Sequence, residues 1–234
     1  MAKPHAVVSE KAWITARKKL LAKEKAFTRS RDQLAAARRA LPWQPVDKDY
    51  LFVGPDGRKT LPELFDGRSQ LIVYHFMFGP GWGAGCPHCS HRADSFDGAI
   101  VHLNHRDVTM VAVSRAPYPE LAAYHKRMGW RFKWYSSAGN DFNFDFNVSF
   151  TPQERKRKIA LYNFVEQDPG VSEREGVSVF FKDAKGNIFR TYSTFARGID
   201  AFSVDYQYLD LAPKGRDEDG RGPFWVRRHD EYGK

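Results

Sequence analysis

The sequence predicts a mixed α/β domain with parallel strands, preceded by a long basic helix and followed by a tail. Three observations lead there. Strand-length runs rich in β-branched and aromatic residues (Leu71–Phe78, Val108–Val113, Phe132–Tyr135) alternate with stretches of helical pattern (Ser90–His105, Pro119–Met128); that order implies parallel pairing. A stretch without Gly or Pro, rich in Ala, Leu, Lys, Glu and Arg, runs from Val8 to Leu41. The chain has 234 residues, 42% of them hydrophobic, enough for one full core. Three segments are expected: a basic amphipathic helix over residues 1–43, the α/β domain over 44–212, and a loop and tail over 213–234.

The helix carries the chain's charge. Up to residue 41 there are eleven Lys and Arg against three Asp and Glu, so most of the net +9 lies there and the rest is nearly neutral. Trp13, Leu20, Phe27, Leu34 and Leu41 recur every seven residues, while Lys23 and Ser30 interrupt the companion row, so the pattern is one seam rather than a full coiled coil. The seam spans roughly 42 Å at about 1.5 Å per residue, against a breadth of roughly 35 Å for the body alone. Docking on the body, pairing with a second copy and nucleic-acid binding are the three ways to use such a helix. The length favours a homodimer. The absence of a recognition motif and the spread of basic residues round the helix disfavour nucleic acid.

Pro42-Trp43-Gln44-Pro45 ends the helix. Tyr50–Val53 followed by Gly54-Pro55-Asp56-Gly57 reads as a strand and turn, and Thr60–Phe65 as a short helix. Leu71–Phe78 is then a buried strand. Four glycines and a proline follow over residues 79–85, so the chain turns sharply. Cys86-Pro87-His88-Cys89 comes next, with Pro87 suited to a first helical turn. Free N–H groups and the positive dipole end at a helix start favour a thiolate, so Cys86 is expected to be the more exposed and more acidic thiol. Cys86 would attack a partner disulfide and Cys89 would resolve the mixed disulfide. Pro87 and His88 would tune the potential, since a protonated His88 places positive charge beside the thiolate. Cys86 and Cys89 are the only cysteines of the chain. Structural thiols and half of a metal site remain alternatives, but a metal site wants a second Cys or His pair and only His88 and His91 are near, crowding the same turn, so no metal and no cofactor are expected.

The tetrad Cys86-Pro87-His88-Cys89 resembles the active site of the periplasmic thiol oxidases of the thioredoxin superfamily. Nearly end to end, the chain resembles a bacterial thioredoxin-like family known as domain of unknown function 899. The segments that carry the resemblance are Ala37–Trp43, Leu64–Gly79, Gly85–Gly98, Val108–Pro117, Arg127–Trp134, Asp141–Asp145, Thr191–Gly198 and Trp225–Tyr232. The resemblance implies a thioredoxin-like fold over 44–212 and dithiol–disulfide oxidoreductase activity, with no substrate assigned. The hairpin and short helix before the buried strand resemble the peroxiredoxin-like branch. Departures are plain. Gly85 precedes Cys86 where thioredoxin has Trp, and Trp82 lies four residues away. Gly79 and Gly83 stand where a peroxiredoxin would carry Pro and Thr. Gly176-Val177 stands where most relatives place a cis-proline.

After the cysteines, Ser90–His105 reads as one continuous helix with Phe96, Ile100 and Leu103 on one face. Val108–Val113 is the next strand and ends at Ser114-Arg115-Ala116-Pro117. Asn140–Asn147 alternates polar and aromatic residues and reads as a loop and short helix packing on the core. Gln153–Lys158 reads as a solvated charged loop. Val177–Phe181 and Asn187–Tyr192 form a hairpin around Asp183-Ala184-Lys185-Gly186, and Ile199–Leu211 a helix. Residues 213–222, with three glycines and mixed charge, read as a mobile loop, and Trp225–Tyr232 as a tail with one anchor, Trp225.

Ligands in open parallel sheets lie outside the carboxyl ends of the strands. Trp82, Arg115 and Val177 are therefore candidate cleft-lining residues, Arg115 as a site for an anionic group such as a glutathione carboxylate. The expected partners are protein or small-molecule thiols and disulfides. The rival reading is a thioredoxin-fold binding module that recruits a protein or nucleic acid through the basic helix. No run has the length of a membrane span, and Met1–Glu10 shows no signal pattern. A cytoplasmic address is expected, where a lone Cys-x-x-Cys is more often catalytic than a staple.

Overall fold

The computed structural model describes residues 5–233. The chain divides into two compact units, Met1–Pro42 and Trp43–Lys234. The first is a single helix, α1 (Glu10–Arg39). The Ser9 side chain accepts from the Ala12 N–H at its start, and Arg38 and Arg39 close its last turn, a charge order that suits the helix dipole. None of its residues is buried, and Trp13, Leu20, Phe27, Leu34 and Leu41 are all exposed.

In the second unit the elements run β1 (Gln44–Pro45), β2 (Leu51–Gly54), β3 (Gly57–Thr60), α2 (Leu61–Leu64), β4 (Gln70–His75), α3 (Pro87–Asp97), α4 (Ile100–His105), β5 (Val108–Ser114), α5 (Tyr118–Met128) and β6 (Lys133–Ser136). There follow α6 (Phe142–Asp145), α7 (Pro152–Arg157), β7 (Ala160–Tyr162), β8 (Val165–Gln167), β9 (Gly176–Lys182), β10 (Ile188–Phe195), a 3-10 segment (Ala196–Phe202), α8 (Val204–Leu209) and a 3-10 turn (His229–Glu231). Among the described residues, eight strands form one sheet in the order β1-β10-β9-β4-β5-β6-β2-β3, and β7 and β8 pair separately. β4, β5 and β6 are parallel, whereas β9 runs antiparallel to β4 and β10 to β9. Parallel strands joined by helices, then an antiparallel hairpin on the other side of the cysteine-bearing strand, make the thioredoxin-like arrangement. β2 and β3 extend the edge beyond β6.

β4 and β5 are covered on both faces, and their alternation assigns side chains to two cores. Leu71, Val73, Val111 and Val113 point into one core with Phe52, Phe65, Phe142 and Phe180. Tyr74, Phe76, Met110 and Ala112 point into the other, with Phe96, Leu121, Trp130, Trp134 and Cys89. The Asn140–Asn147 stretch serves the first of these, for Phe142 and Phe146 are buried, with ring centroids 4.5 Å apart. Trp43 stands against Phe181 and Phe189 at the sheet edge.

Four local expectations need correction. The helix after the cysteines is broken into α3 and α4 at Gly98-Ala99. Gln153–Lys158 is mostly helix, not loop: Thr151 and Glu154 form a capping box at the start of α7, so side chains satisfy N–H groups that the charge run alone does not advertise. Ile199–Leu211 is a 3-10 segment and a short α-helix that meet at the extended Ser203. The β7–β8 hairpin was not expected. It turns through Asn163 and Phe164, both at positive φ, and the bulky Phe164 gives no turn signal in the sequence. Among the described residues no helix is long and apolar enough to cross a membrane.

Candidate active site

β4 brings the chain to the site. Beyond His75 it leaves the sheet through the buried Phe76 and Phe78. The glycine-rich loop then folds back, and the Cys86 N–H donates to the Met77 carbonyl at 3.1 Å. Two glycines here are a matter of space. A Cβ on Gly85 would stand 2.6 Å from Phe76 and 2.9 Å from Tyr124, and one on Gly79 would stand 2.7 Å from the Trp82 indole nitrogen. Cys86 is the N-cap residue of α3 and Pro87 opens the helix, where its missing N–H costs nothing. The Cys86 carbonyl accepts from both the N–H and the hydroxyl of Ser90, each at 2.9 Å.

Both thiols are free, and their surroundings differ. Cys86 is half-buried and Cys89 fully buried. A hydrogen bond from Cys89 favours the Cys86 thiolate; burial opposes it; the His88 hydrogen bond and charge assist it. Together these bring Cys86 down to about 4. Burial first, and then the Cys86 thiolate, push Cys89 well above the ordinary thiol range. The same bond to Cys86 raises His88 above its usual value against its partial burial. Near neutral pH Cys86 is therefore a thiolate, and its negative charge favours the protonated form of His88. Cys89 Sγ accepts from the Met77 N–H at 3.4 Å. Behind it, the hydroxyl of the buried Tyr74 faces Cys89 and Arg92. Burial works against the Arg92 charge, but Tyr74, Cys89 and Glu175 more than offset it.

The sequence-expected residues fall into two groups. Val177 is buried in the same core as Cys89, with Cys86 packed against that core. Trp82 and Arg115 belong to a neighbouring cluster around Glu173. Trp82 and Glu173 both close on Gly79, and Arg115 lies 3.4 Å from Glu173 and over the Phe144 ring at 4.6 Å. The Arg115 guanidinium thus pairs with a buried carboxylate. Glu173 also accepts from the Ser149 hydroxyl, and burial lifts its carboxyl to about 6.

The reading of the sequence missed the largest contribution, that of the tail. His88 Nε2 lies 3.2 Å from the Pro223 carbonyl. Arg228 donates to the Gly85 carbonyl from Nε at 3.1 Å and from Nη2 at 2.7 Å. Its Nε also meets the Tyr124 hydroxyl at 2.9 Å, and that hydroxyl meets Ser90 Oγ at 2.8 Å. Trp225 packs edge-on against His91 and hydrogen-bonds Glu218. His229 pairs with Asp94 of α3, and Arg127 of α5 with Asp230 and Glu231. Residues 213–232 thus form a strap over the start of α3, tied by side chains that the mixed charge of the stretch concealed. A signal was present, since Trp225–Tyr232 is among the segments that resemble the family.

The sequence profile of a family described as "Bacterial protein of unknown function (DUF899)" matches residues 2–232. The chain belongs to this family. No curated protein matches the DUF899 chain. Among solved structures, it is similar to peroxidoxin BcpB from Mycobacterium tuberculosis at 12% identity, covering 70% of this chain and 94% of that one, with a TM-score of 0.46. Thioredoxin peroxidase I of Plasmodium yoelii is 14% identical over 78% and 94% of the two chains, with a TM-score of 0.47. A putative protein disulfide isomerase from Bacteroides thetaiotaomicron is 17% identical over 76% and 98%, with a TM-score of 0.38. Among the described residues of the DUF899 chain, no three His, Cys, Asp or Glu side chains are grouped as metal ligands.

Proposed function

We propose that this protein is a thiol–disulfide oxidoreductase acting on protein or small-molecule disulfides and thiols. The carrying observation is the contrast within one helical turn: a half-buried Cys86 whose thiol is drawn down and a fully buried Cys89 whose thiol is pushed up. In the reductive direction the Cys86 thiolate attacks one sulfur of a substrate disulfide. A Cys86–substrate bond forms, the substrate S–S bond breaks, and the departing thiolate takes up a proton. Cys89 then gives up its proton and attacks Cys86 Sγ. The Cys86–Cys89 disulfide forms, and the second substrate thiolate leaves with that proton. Two electrons pass from the protein dithiol to the substrate, and the reverse sequence oxidises a dithiol. Stabilising the Cys86 thiolate stabilises the dithiol form, which makes the disulfide the more oxidising partner.

The test is reduction of insulin disulfides by the full-length protein with a dithiol donor. Turnover is expected from the wild type, with loss on Cys86→Ser and a trapped mixed disulfide on Cys89→Ser. Equal turnover by wild type and Cys86→Ser would overturn the reading and leave a thioredoxin-fold binding module. We propose in addition that α1 pairs with a second copy of the chain. Its exposed heptad row supports this, with the charged faces left in solvent.

A further inference from the structure

We infer that the C-terminal strap is part of the redox centre: the Pro223 carbonyl and the Arg228 guanidinium are positioning groups that hold His88 and the Gly85–Cys86 peptide in register. The inference rests on the oxidoreductase reading of Cys86. The argument begins at His88. A carbonyl oxygen only accepts, so the contact to Pro223 at 3.2 Å requires a proton on Nε2 in both charge states of the ring. The neutral ring is then left with Nδ1 as its one acceptor, and Cys86 is the group whose interaction does most to raise His88. Proton transfer from Cys86 Sγ to Nδ1 produces thiolate and imidazolium with no change in ring orientation. Without Pro223 either tautomer is open, and one of them offers Cys86 no acceptor at that position.

Arg228 acts on the other side. The Gly85–Cys86 peptide is held at both ends, its N–H by the Met77 carbonyl at 3.1 Å and its carbonyl by the Arg228 fork at 3.1 and 2.7 Å. The fork also neutralises a carbonyl dipole whose negative end would otherwise lie one residue from a thiolate. Its Nη1 is taken by Glu231 at 2.9 Å and its Nε is shared with Tyr124. With these donors committed within the protein, Arg228 is suited to positioning rather than to gripping a substrate. Its side chain is 18% exposed, which is consistent with that use.

The experiment reads the cysteine rather than turnover, so it stands apart from the insulin assay. Cys86 is titrated in the full-length reduced protein by thiolate absorbance and by alkylation rate from pH 3 to pH 7, in wild type, Arg228→Gln and Arg228→Lys. The expected result is a rise of about one pH unit in the Cys86 midpoint for Arg228→Gln, roughly a tenfold loss of thiolate well below that midpoint. Arg228→Lys, which keeps charge but not the fork, should fall between. Near-UV circular dichroism establishes that each variant is folded. Nitrogen-15 NMR of histidine in the wild type should show His88 with its proton on Nε2 when neutral, a reading that needs no variant. A folded Arg228→Gln with the wild-type midpoint, or a neutral His88 protonated on Nδ1, would overturn the inference. Failure of the insulin assay alone would not.

Discussion

His88 and Glu173 show how a few ångströms of surroundings decide what a titratable side chain does. His88 is raised by its interaction with Cys86; in the proposed reaction this would stabilise the dithiol and make the disulfide the more oxidising. His88→Ser should lower the reduction potential, by about 30 mV for each 1.4 kcal/mol of lost thiolate stabilisation. Equilibration with glutathione buffers measures it, and an unchanged potential would place the His88 charge away from the sulfur. Glu173 is 2% exposed and titrates at about 6 because burial disfavours its charge. Its folded value lies above the unfolded one, so the folded state binds its proton more tightly. The stability it contributes is present at low pH and is lost as pH rises from the unfolded carboxyl value through about 6. Glu173→Gln should therefore gain about 2 kcal/mol at pH 7.5 and nothing at pH 4, one pKa unit being about 1.4 kcal/mol. Urea unfolding at the two pH values is the check, and an equal effect at both would mean that the carboxyl does not titrate there.

At the scale of elements, the central strands of the large sheet were legible, whereas the β7–β8 hairpin and several helices were not. β4 and β5 announce themselves because both faces are buried, so nearly every side chain is apolar. α7 and the broken helix after Ser203 are set by cap chemistry and by the tertiary fit of Tyr206 and Ile199, neither of which leaves a period in the sequence. The same holds for the site. The cysteines and His88 are local in sequence, whereas Arg228 reaches Gly85 across 143 positions and Pro223 reaches His88 across 135. No spacing rule connects residues so far apart. Gly85 tests how tightly these elements close on one another. Gly85→Ala places a methyl group 2.6 Å from Phe76 and 2.9 Å from Tyr124. It should cost about 1–3 kcal/mol, the usual penalty of overpacking, and slow Cys86 alkylation by moving its peptide. Wild-type stability with a wild-type alkylation rate would show that the two rings yield freely.

For the whole molecule, the division of labour follows the charge. Residues 42–234 are nearly neutral, whereas α1 carries most of the net +9 and an exposed apolar row. The four apolar side chains of that row within α1 are 50–65% exposed, and burying them against a second copy would gain part of the about 1.5–3 kcal/mol that full burial of each is worth. Light scattering should find a dimer for the full-length protein and a monomer for Leu20→Glu combined with Phe27→Glu, with Cys86 alkylation unaltered. A monomeric wild type at tens of micromolar would remove the dimer.

The long reach of the strap also has a consequence in time. During translation Cys86 and Cys89 are made about 140 residues before Arg228, a lead of roughly 7 to 30 s at ribosomal speeds of about 5–20 residues per second. Over that interval the nascent chain carries ordinary thiols, poor at exchange with the disulfides it meets. On the inference drawn above, the Gly85–Cys86 peptide reaches its final geometry only when this last segment has been synthesised and laid down.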